Sequence, residues 1–293
     1  SSGPHRLLYG APRDLALGLR AVLPDGRAIR VGGKTVKNVA GYDLTKLFVG
    51  SLGTLGLIVE ATLKLRPLPE EERTLVLLCR SLEHAGEVVR RVLGSADIIP
   101  AALELLDERA TALIGGRLGL ALGSGPVLVV ALEGFSEEVS GQESRLRALA
   151  PGSLVEDGAP LWRLLTDGLR SGLVARAGVP IAVVARYLEA AGKAAAAHGV
   201  NCPGVAGAGS GLVRLFPKTQ GGDPDALVAF LKEARSLACH AGGYLVLEEA
   251  PLLIKGAVNV WGDPVDALPA LGKIKSVFDP QGIMNPGRYL GGI

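Results

Sequence analysis

Gly50, Gly53 and Gly56 recur at every third position in GSLGTLGLIVEATLKLRP, residues 50–67. Without a Cβ, such a stretch lets the backbone approach a ligand closely. Loops that cradle phosphate run strand, glycines, helix, so that a helix N-terminus faces the anion. Here the order differs. Leu57, Val59, Ala61, Leu63 and Leu65 share one parity, and Glu60, Thr62, Lys64 and Arg66 the other. That alternation predicts a half-buried strand, ended by Pro67. Upstream, GYDLTKLF has room for only a short helical turn before Gly50. The glycines therefore lead into a strand and offer no helix dipole. They can present free N–H and C=O groups to a flat ring with a mixed donor and acceptor edge, or they can simply form a tight turn.

Other constellations fail on spacing. VGGKTV resembles the end of a Walker A loop, but Ala28 stands where the first glycine is needed and Gly41 interrupts any following helix. In GVAGAGSG, residues 204–211, the third glycine of a dinucleotide fingerprint would fall on Leu212 or Arg214. His5, His84, His198 and His240 lack metal-ligand spacing and are expected to be solvated, the last three on or at the end of surface helices. Cys79, Cys202 and Cys239 are far apart and form no CxxC, so this chain should bind neither structural zinc nor an iron–sulfur cluster. Each is read as a small buried residue. No serine occupies a G-x-S-x-G elbow. Glu248 and Glu249 should point to opposite faces of a strand, which excludes a shared-proton dyad. No catalytic residue and no metal site follow from the residues alone.

The elements that must position these residues can be read from periodicity and caps. LALGLRAVLPDGRAIRV, residues 15–31, predicts a hairpin turning at Pro24-Asp25-Gly26. PLPEEER, 67–73, marks a boundary. Beyond it strands alternate with helices: a strand at 74–80, a helix at 81–94 between Ser81 and Gly94, a strand at 126–135 and a helix at 136–150 capped by Ser136. A helix over IAVVARYLEAAGKAAAAHG, a strand at 209–216, a helix capped by Asp223 with Pro224 at its first position and Gly242 closing it, and a strand at 244–251 complete the series. Two strand–helix–strand halves of an α+β domain are expected. In the tail, a helix should end near Phe278, before Asp279-Pro280, Gly282 and Asn285-Pro286-Gly287.

The 293 residues are 48% hydrophobic and 20% charged, a globular composition long enough for two domains. A net charge of +2 gives no electrostatic case for nucleic acid or an anionic membrane. No run of apolar residues is long enough to span a bilayer, and a reducing, cytoplasmic setting is expected. The chain opens on SSGPHRLLYG, without Met, as if in mid-fold.

GGKTVKNVAGYDLTKLFVGSLGTLGLIVEATLKLRPLP, residues 32–69, closely resembles the FAD-linked oxidases of the vanillyl-alcohol-oxidase type, with PCMH-type FAD-binding domains. Within them it is most similar to E subunits of glycolate oxidases. SGPHRLLYGAPRDLALGL, VNVWGDP (258–264) and FDPQGIMNPGRYL (278–290) agree with that resemblance. It implies an α+β fold: the second lobe of a FAD-binding domain over 1–68, an α+β cap with an antiparallel sheet and helices over 69–262, and a C-terminal helix and tail, 263–293, returning to the FAD lobe. It further implies FAD as cofactor. Ser51, Gly53, Thr54, Gly56, Ile58 and Val59 would meet the pyrimidine edge of the ring, with Gly3 and Gly10 near the cofactor. Asn285, held extended by Pro286, would make a further contact.

Two departures qualify the resemblance. The family's N-terminal lobe, which supplies the other glycine loop for the diphosphate, is missing, so this chain alone should bind FAD weakly. Catalytic relatives also carry histidine motifs where this chain has GLVRLF and LVLEEAP, leaving no histidine as base. Arg214 reads either as a carboxylate anchor or as a surface arginine on an edge strand. The implied function is a flavoprotein subunit that oxidises glycolate or a related 2-hydroxy acid to the corresponding oxo acid. Its partners would be a catalytic flavoprotein subunit and an iron–sulfur subunit, through which it could associate with a membrane. The alternatives are a flavin-free assembly subunit and a stand-alone FAD-dependent D-lactate-type dehydrogenase.

Overall fold

The computed structural model describes residues 3–35, 42–169, 172–219, 223–262 and 266–293. They form two units. One holds Tyr9–Leu68 with the described tail, 266–293; the other holds Gly3–Leu8 with Pro69–Gly262.

The smaller unit is a three-stranded antiparallel sheet in which β1 (Ala16–Val22) lies between β2 (Ala28–Gly32) and β3 (Leu57–Leu63). The β1–β2 hairpin turns where Pro24-Asp25-Gly26 directs it. Gly26 takes φ +83°, and the Asp25 carboxylate accepts from the backbone N–H of Arg27. A single helical turn, Thr45–Phe48, precedes the glycine loop. Among the described residues, the buried apolar core is small: Leu19, Ala21, Phe48 and Leu55, with Ile274 and Phe278 of the helix Leu268–Phe278 packed against it. The Phe48 and Phe278 rings meet edge to face at 5.4 Å. The predicted strand at 57–63 forms, but it is not half-buried. Leu57 is 60% exposed, Val59 52% and Leu63 53%, because β3 is an edge strand with uncovered faces.

The larger unit is built on one eight-stranded sheet, in which each adjacent pair is antiparallel. Its strands are β4 (Glu71–Leu78), β5 (Ala102–Leu106), β6 (Val127–Gly134), β7 (Gly152–Val155), β8 (Val174–Gly178), β10 (Gly204–Gly207), β11 (Leu212–Leu215) and β13 (Tyr244–Glu249). A separate short pair joins β9 (Val200–Asn201) to β12 (Lys218–Thr219). The order β13-β8-β11-β10-β5-β6-β4-β7 resolves into two four-stranded halves of the split βαβ type. In each half the first strand is flanked by the third and the fourth, and the second lies beyond the third. The halves meet where β5 pairs with β10, Leu106 opposite Val205 and Glu104 opposite Gly207. The expected strand–helix–strand repeat is thus present, completed by strands that were not legible locally.

The helices Leu82–Leu93, Ser136–Leu149, Val184–Ala197 and Pro224–His240 pack on one face. Their buried faces meet Leu75, Leu77, Leu103, Leu105, Leu128, Val130, Val213 and Leu215 in the main core. On the opposite face, Val76, Val127, Val129, Leu161 and Trp162 form a second core with the helix Glu108–Leu118. Ser81 caps the first helix by accepting from the N–H of His84, and Asp223 caps the last through Asp225 and Ala226. Ser136, in contrast, is the first residue of its helix; Phe135 stands at the cap position with no side-chain bond. Cys79 and Cys202 are buried as expected, but Cys239 is exposed. Among the described residues, no helix is long and apolar enough to cross a membrane.

The small core of the smaller unit makes it the vulnerable part. Phe48→Ala is expected to cost about 3–5 kcal/mol and to unfold that unit while the larger sheet persists. Residue-resolved hydrogen exchange should show protection lost in β1–β3 and retained in β4–β6.

Candidate functional site

The loop before β3 is held in an unusual backbone shape. Gly50, Leu52 and Gly53 take φ of +94°, +54° and +74°. Leucine rarely adopts such a conformation. The loop is fixed from within by the buried Thr54 hydroxyl, which donates to the Ser51 carbonyl at 2.7 Å. It is fixed from outside by Asn285, whose Nδ2 donates to the Leu52 carbonyl at 2.7 Å. Asn285 itself sits at φ +43°, so the expected extended conformation before Pro286 is not adopted. Asparagine tolerates the left-handed region better than most residues, and here that turn aims its amide at the loop.

The glycines serve different ends. A Cβ on Gly53 would stand 2.7 Å from Asn285 Nδ2, and one on Gly56 would stand 3.0 Å from the Val22 carbonyl and 3.2 Å from Phe48. Gly53 and Gly56 are therefore required by protein packing. Gly50 has nothing within 4 Å of such a Cβ, and with the exposed Leu52 it forms the accessible crest of the loop. Beside the loop, Arg13, Lys46, Val49, Ser51, Ile274 and Tyr289 line a cavity of about 240 Å³. Further on, the β1–β3 ladder is interrupted between Arg20 and Ala21, placing a bulge at Val59. As the sheet edge, β3 also presents backbone donors and acceptors that no strand among the described residues uses. That alternating set suits the mixed edge of a flavin pyrimidine ring.

Of the sequence-predicted residues, Ser51, Gly53, Thr54 and Asn285 come together at the loop: Thr54 bonds Ser51, and Asn285 bonds Leu52 with its amide packed against Gly53. Ile58 and Val59 follow on the exposed strand, and Gly56 is packed at its base. Gly10, at φ +78°, turns the chain ahead of β1, with Asp14 accepting from the Ala11 N–H. Gly3 belongs to the other unit, and a Cβ there would have open space apart from Thr166 at 3.9 Å.

Sequence reasoning missed the residue that joins loop to tail. Lys275 Nζ donates to the carbonyls of Thr54 and Met284, each at 2.8 Å, and to the Asp279 carboxylate. Asp279 also accepts from the N–H groups of Ile283 and Met284. FDPQGIMNPGRYL signalled only a helix stop, whereas Asp279 forms the lower half of a clamp. Burial opposes its ionisation, yet Lys275 and the two backbone donors hold its carboxyl below the ordinary range.

The larger unit corrects two further expectations. His5 is not simply solvated: its Nε2 lies 3.1 Å from Glu133 Oε1, and its ring is tilted against Trp162 at 5.6 Å. The Glu133 hydrogen bond raises its pKa, with burial opposing. Arg214 lies on β11, which is interior and not an edge strand, and donates to the carbonyls of Leu165 and Thr166 at 2.6 and 2.8 Å. Near it on β5, burial pushes the Glu104 carboxyl up to about 7 against the opposing charges of Arg214 and His5.

The clamp yields two expected outcomes. Lys275→Met leaves a buried carboxylate unpaired and should cost about 3–5 kcal/mol, read by urea unfolding of the smaller unit. Because the Asp279 pKa is lower in the folded state, its contribution is present above the unfolded value, about 4, and is lost as pH falls through the folded value. Acid titration should thus loosen loop 50–56 below about pH 4 in the parent protein. Asp279→Asn should flatten that dependence in hydrogen exchange.

Comparison with known proteins gives this geometry a family. The chain is 33% identical to glycolate oxidase subunit GlcD of Bacillus subtilis over 98% of its own length and 66% of the relative's. It is 31% identical to D-lactate dehydrogenase of Archaeoglobus fulgidus, covering 99% of the chain and 68% of the relative. It therefore spans about two thirds of the length of these relatives. In fold alone, it matches p-cresol methylhydroxylase with a TM-score of 0.67 at 14% identity, over 96% of this chain and 66% of that one. The family model described as "FAD linked oxidases, C-terminal domain" matches residues 68–289, and the chain belongs to that family.

Proposed function

We propose that this chain supplies the flavin-edge lobe and the cap of an FAD-linked oxidoreductase that oxidises small 2-hydroxy acids, glycolate foremost, within a glycolate-oxidase-type complex. Residues 1–68 and 263–293 form the second flavin lobe in this reading, and 69–262 the cap. The carrying observation is the crest at Gly50–Gly53 continuing into the unpaired edge of β3, with its bulge at Val59. Preorganised backbone dipoles of this kind stabilise charge that develops on a bound ring. FAD, when bound, supplies the two-electron acceptor. The chain's own residues hold the edge in place: Asn285 orders Leu52, Thr54 orders Ser51, and Lys275 fixes Thr54 to the tail. Relatives named as a glycolate oxidase subunit and a D-lactate dehydrogenase support the substrate class. A partner flavoprotein subunit and an iron–sulfur subunit complete the electron path in this proposal, with the assembly cytoplasmic.

A flavin-free assembly role is the second reading. It is favoured by the lack of histidine from β10 through β11 and on β13.

The test is the visible spectrum of the purified chain, alone and with the N-terminal third of a full-length relative supplied in trans. Weak flavin absorption alone, rising with the added lobe and bleaching with glycolate or D-lactate, is the expected result. A protein that stays colourless in both preparations overturns the proposal in favour of the assembly role.

A further inference from the structure

The two halves of the large sheet bring their first helices side by side. Gly86 of the helix Leu82–Leu93 lies against Ala185 of the helix Val184–Ala197. A Cβ on that glycine would stand 3.1 Å from the Ala185 Cβ. Next to this contact, on the helix-covered face, is a cavity of about 350 Å³. Val89 and Leu93 wall it from the end of one helix, and Ile181 and Ala182 from the short turn that starts the other. Leu105 of β5 and Ala208, just after β10, close its base. The cavity therefore sits over the seam of the two halves. There Leu105 pairs with Ala206, and the Ala208 N–H donates to the Leu103 carbonyl at 2.8 Å.

Protein interiors are close-packed and keep few voids larger than a water molecule. This one has the size of a small ligand pocket. It is not sealed: Leu93 and Ile181 are both more than one-third exposed at its rim. An apolar lining gives entering water few hydrogen-bond partners and favours an apolar occupant. One residue of the lining is charged. Arg90, in the last turn of the first helix, is exposed, and among the described residues its guanidinium has no hydrogen-bond or ion-pair partner.

We infer that this cavity binds an amphiphilic monoanion, a medium-chain carboxylate. Its hydrocarbon chain fills the space between the two helices, and its carboxylate pairs with Arg90 at the mouth. Each methylene drawn out of water contributes about 0.8 kcal/mol, nearly fourfold in affinity, and the guanidinium selects the sign of the head group. Glycolate and lactate have almost no hydrocarbon to bury, so the site is distinct from the one for the 2-hydroxy acids proposed above. A ligand wedged over the seam braces the two halves of the sheet and stabilises the folded state by mass action.

The test is calorimetric titration of the full chain with octanoate, butyrate, 1-octanol and octyltrimethylammonium, all below micelle-forming concentrations. Octanoate is expected to bind once per chain, at least tenfold more tightly than any of the other three, and to raise the thermal unfolding midpoint. Arg90→Gln should weaken octanoate about tenfold and leave octanol unchanged, a split that a merely structural role would not produce. Ala182→Phe, at an exposed position on the mouth, should abolish binding of both while the protein stays folded. Excess D-lactate should leave octanoate binding as it was.

A parent protein that does not bind octanoate, or binds the ammonium as tightly, overturns the inference. So does octanoate binding that survives Ala182→Phe, or that is the same in Arg90→Gln. Should Ala182→Phe not fold, the Arg90→Gln titrations decide alone. Competition by D-lactate would place octanoate in the hydroxy-acid site and overturn the separate cavity. A chain that ignores octanoate but forms a dimer dissolved by Ala182→Phe gives the cavity to a second copy instead. None of these titrations needs flavin, so a colourless chain with the expected pattern sinks the flavin reading alone.

Discussion

One ammonium group holds the candidate cofactor site together. Lys275 is part-buried, its side chain 13% exposed, and satisfies its donors on Thr54, Asp279 and Met284. Charge-assisted hydrogen bonds are stronger than neutral ones, and in a buried setting they gain further because water does not screen them. The arrangement matters because the surrounding apolar core is too small to fix a loop and a tail that meet from distant parts of the sequence. The helix Leu268–Phe278 contributes Ile274 and Phe278 to that core, but no fully buried side chain. Its register against the glycine loop is therefore set by a polar contact at its last turn. The negative end of the helix dipole also favours a cation at that position.

The larger unit solves a different problem. Two similar four-stranded halves, joined edge to edge, bury one continuous apolar face under helices. The other face is uneven. Over the first half, Trp162 and Leu161 cover the strands, and the Trp162 Nε1 finds its acceptor in the Thr74 hydroxyl. Toward the second half the same face turns polar, with Glu104, Arg214, Arg176 and Glu248. The high pKa of Glu104 shows which effect wins there: burial outweighs two nearby positive charges.

Much of this was legible from local chemistry. The Pro24–Gly26 turn, the Ser81 and Asp223 caps and the closing Gly242 each act through neighbours a few residues away, so sequence and structure agree there. Ser136 misled because a serine at the head of a helical pattern reads the same one position later. The stretch from 95 to 125 yielded no reading, since the strand Ala102–Leu106 is apolar on both faces but for Glu104 and the next helix carries Gly115 and Gly116. The left-handed turn at Asn285 was hidden because tertiary contact overrides the preference imposed by Pro286. The clamp was equally hidden: Lys275 meets Thr54 only once the chain has folded. Exposure of β3 could not be read from its alternation, which reports the pattern of a strand and not what covers it.

The loop itself illustrates why glycine spacing alone is ambiguous. A phosphate loop needs several glycines because several N–H groups converge on one anion. Here only Gly50 is open, while Gly53 and Gly56 yield space to Asn285, Val22 and Phe48. The strain falls instead on Leu52, whose left-handed backbone costs roughly 1–2 kcal/mol. Strain of this kind persists only where the surroundings over-determine it, and the surroundings do so here from both sides. The Asn285 amide grips the Leu52 carbonyl, and the neighbouring Ser51 carbonyl is held by the Thr54 hydroxyl. A loop whose only purpose was to reverse the chain would relax by placing glycine at that position. Retaining a strained, exposed leucine between two positive-φ glycines, and ordering it through a side chain from the far end of the sequence, keeps a rigid backbone surface facing outward.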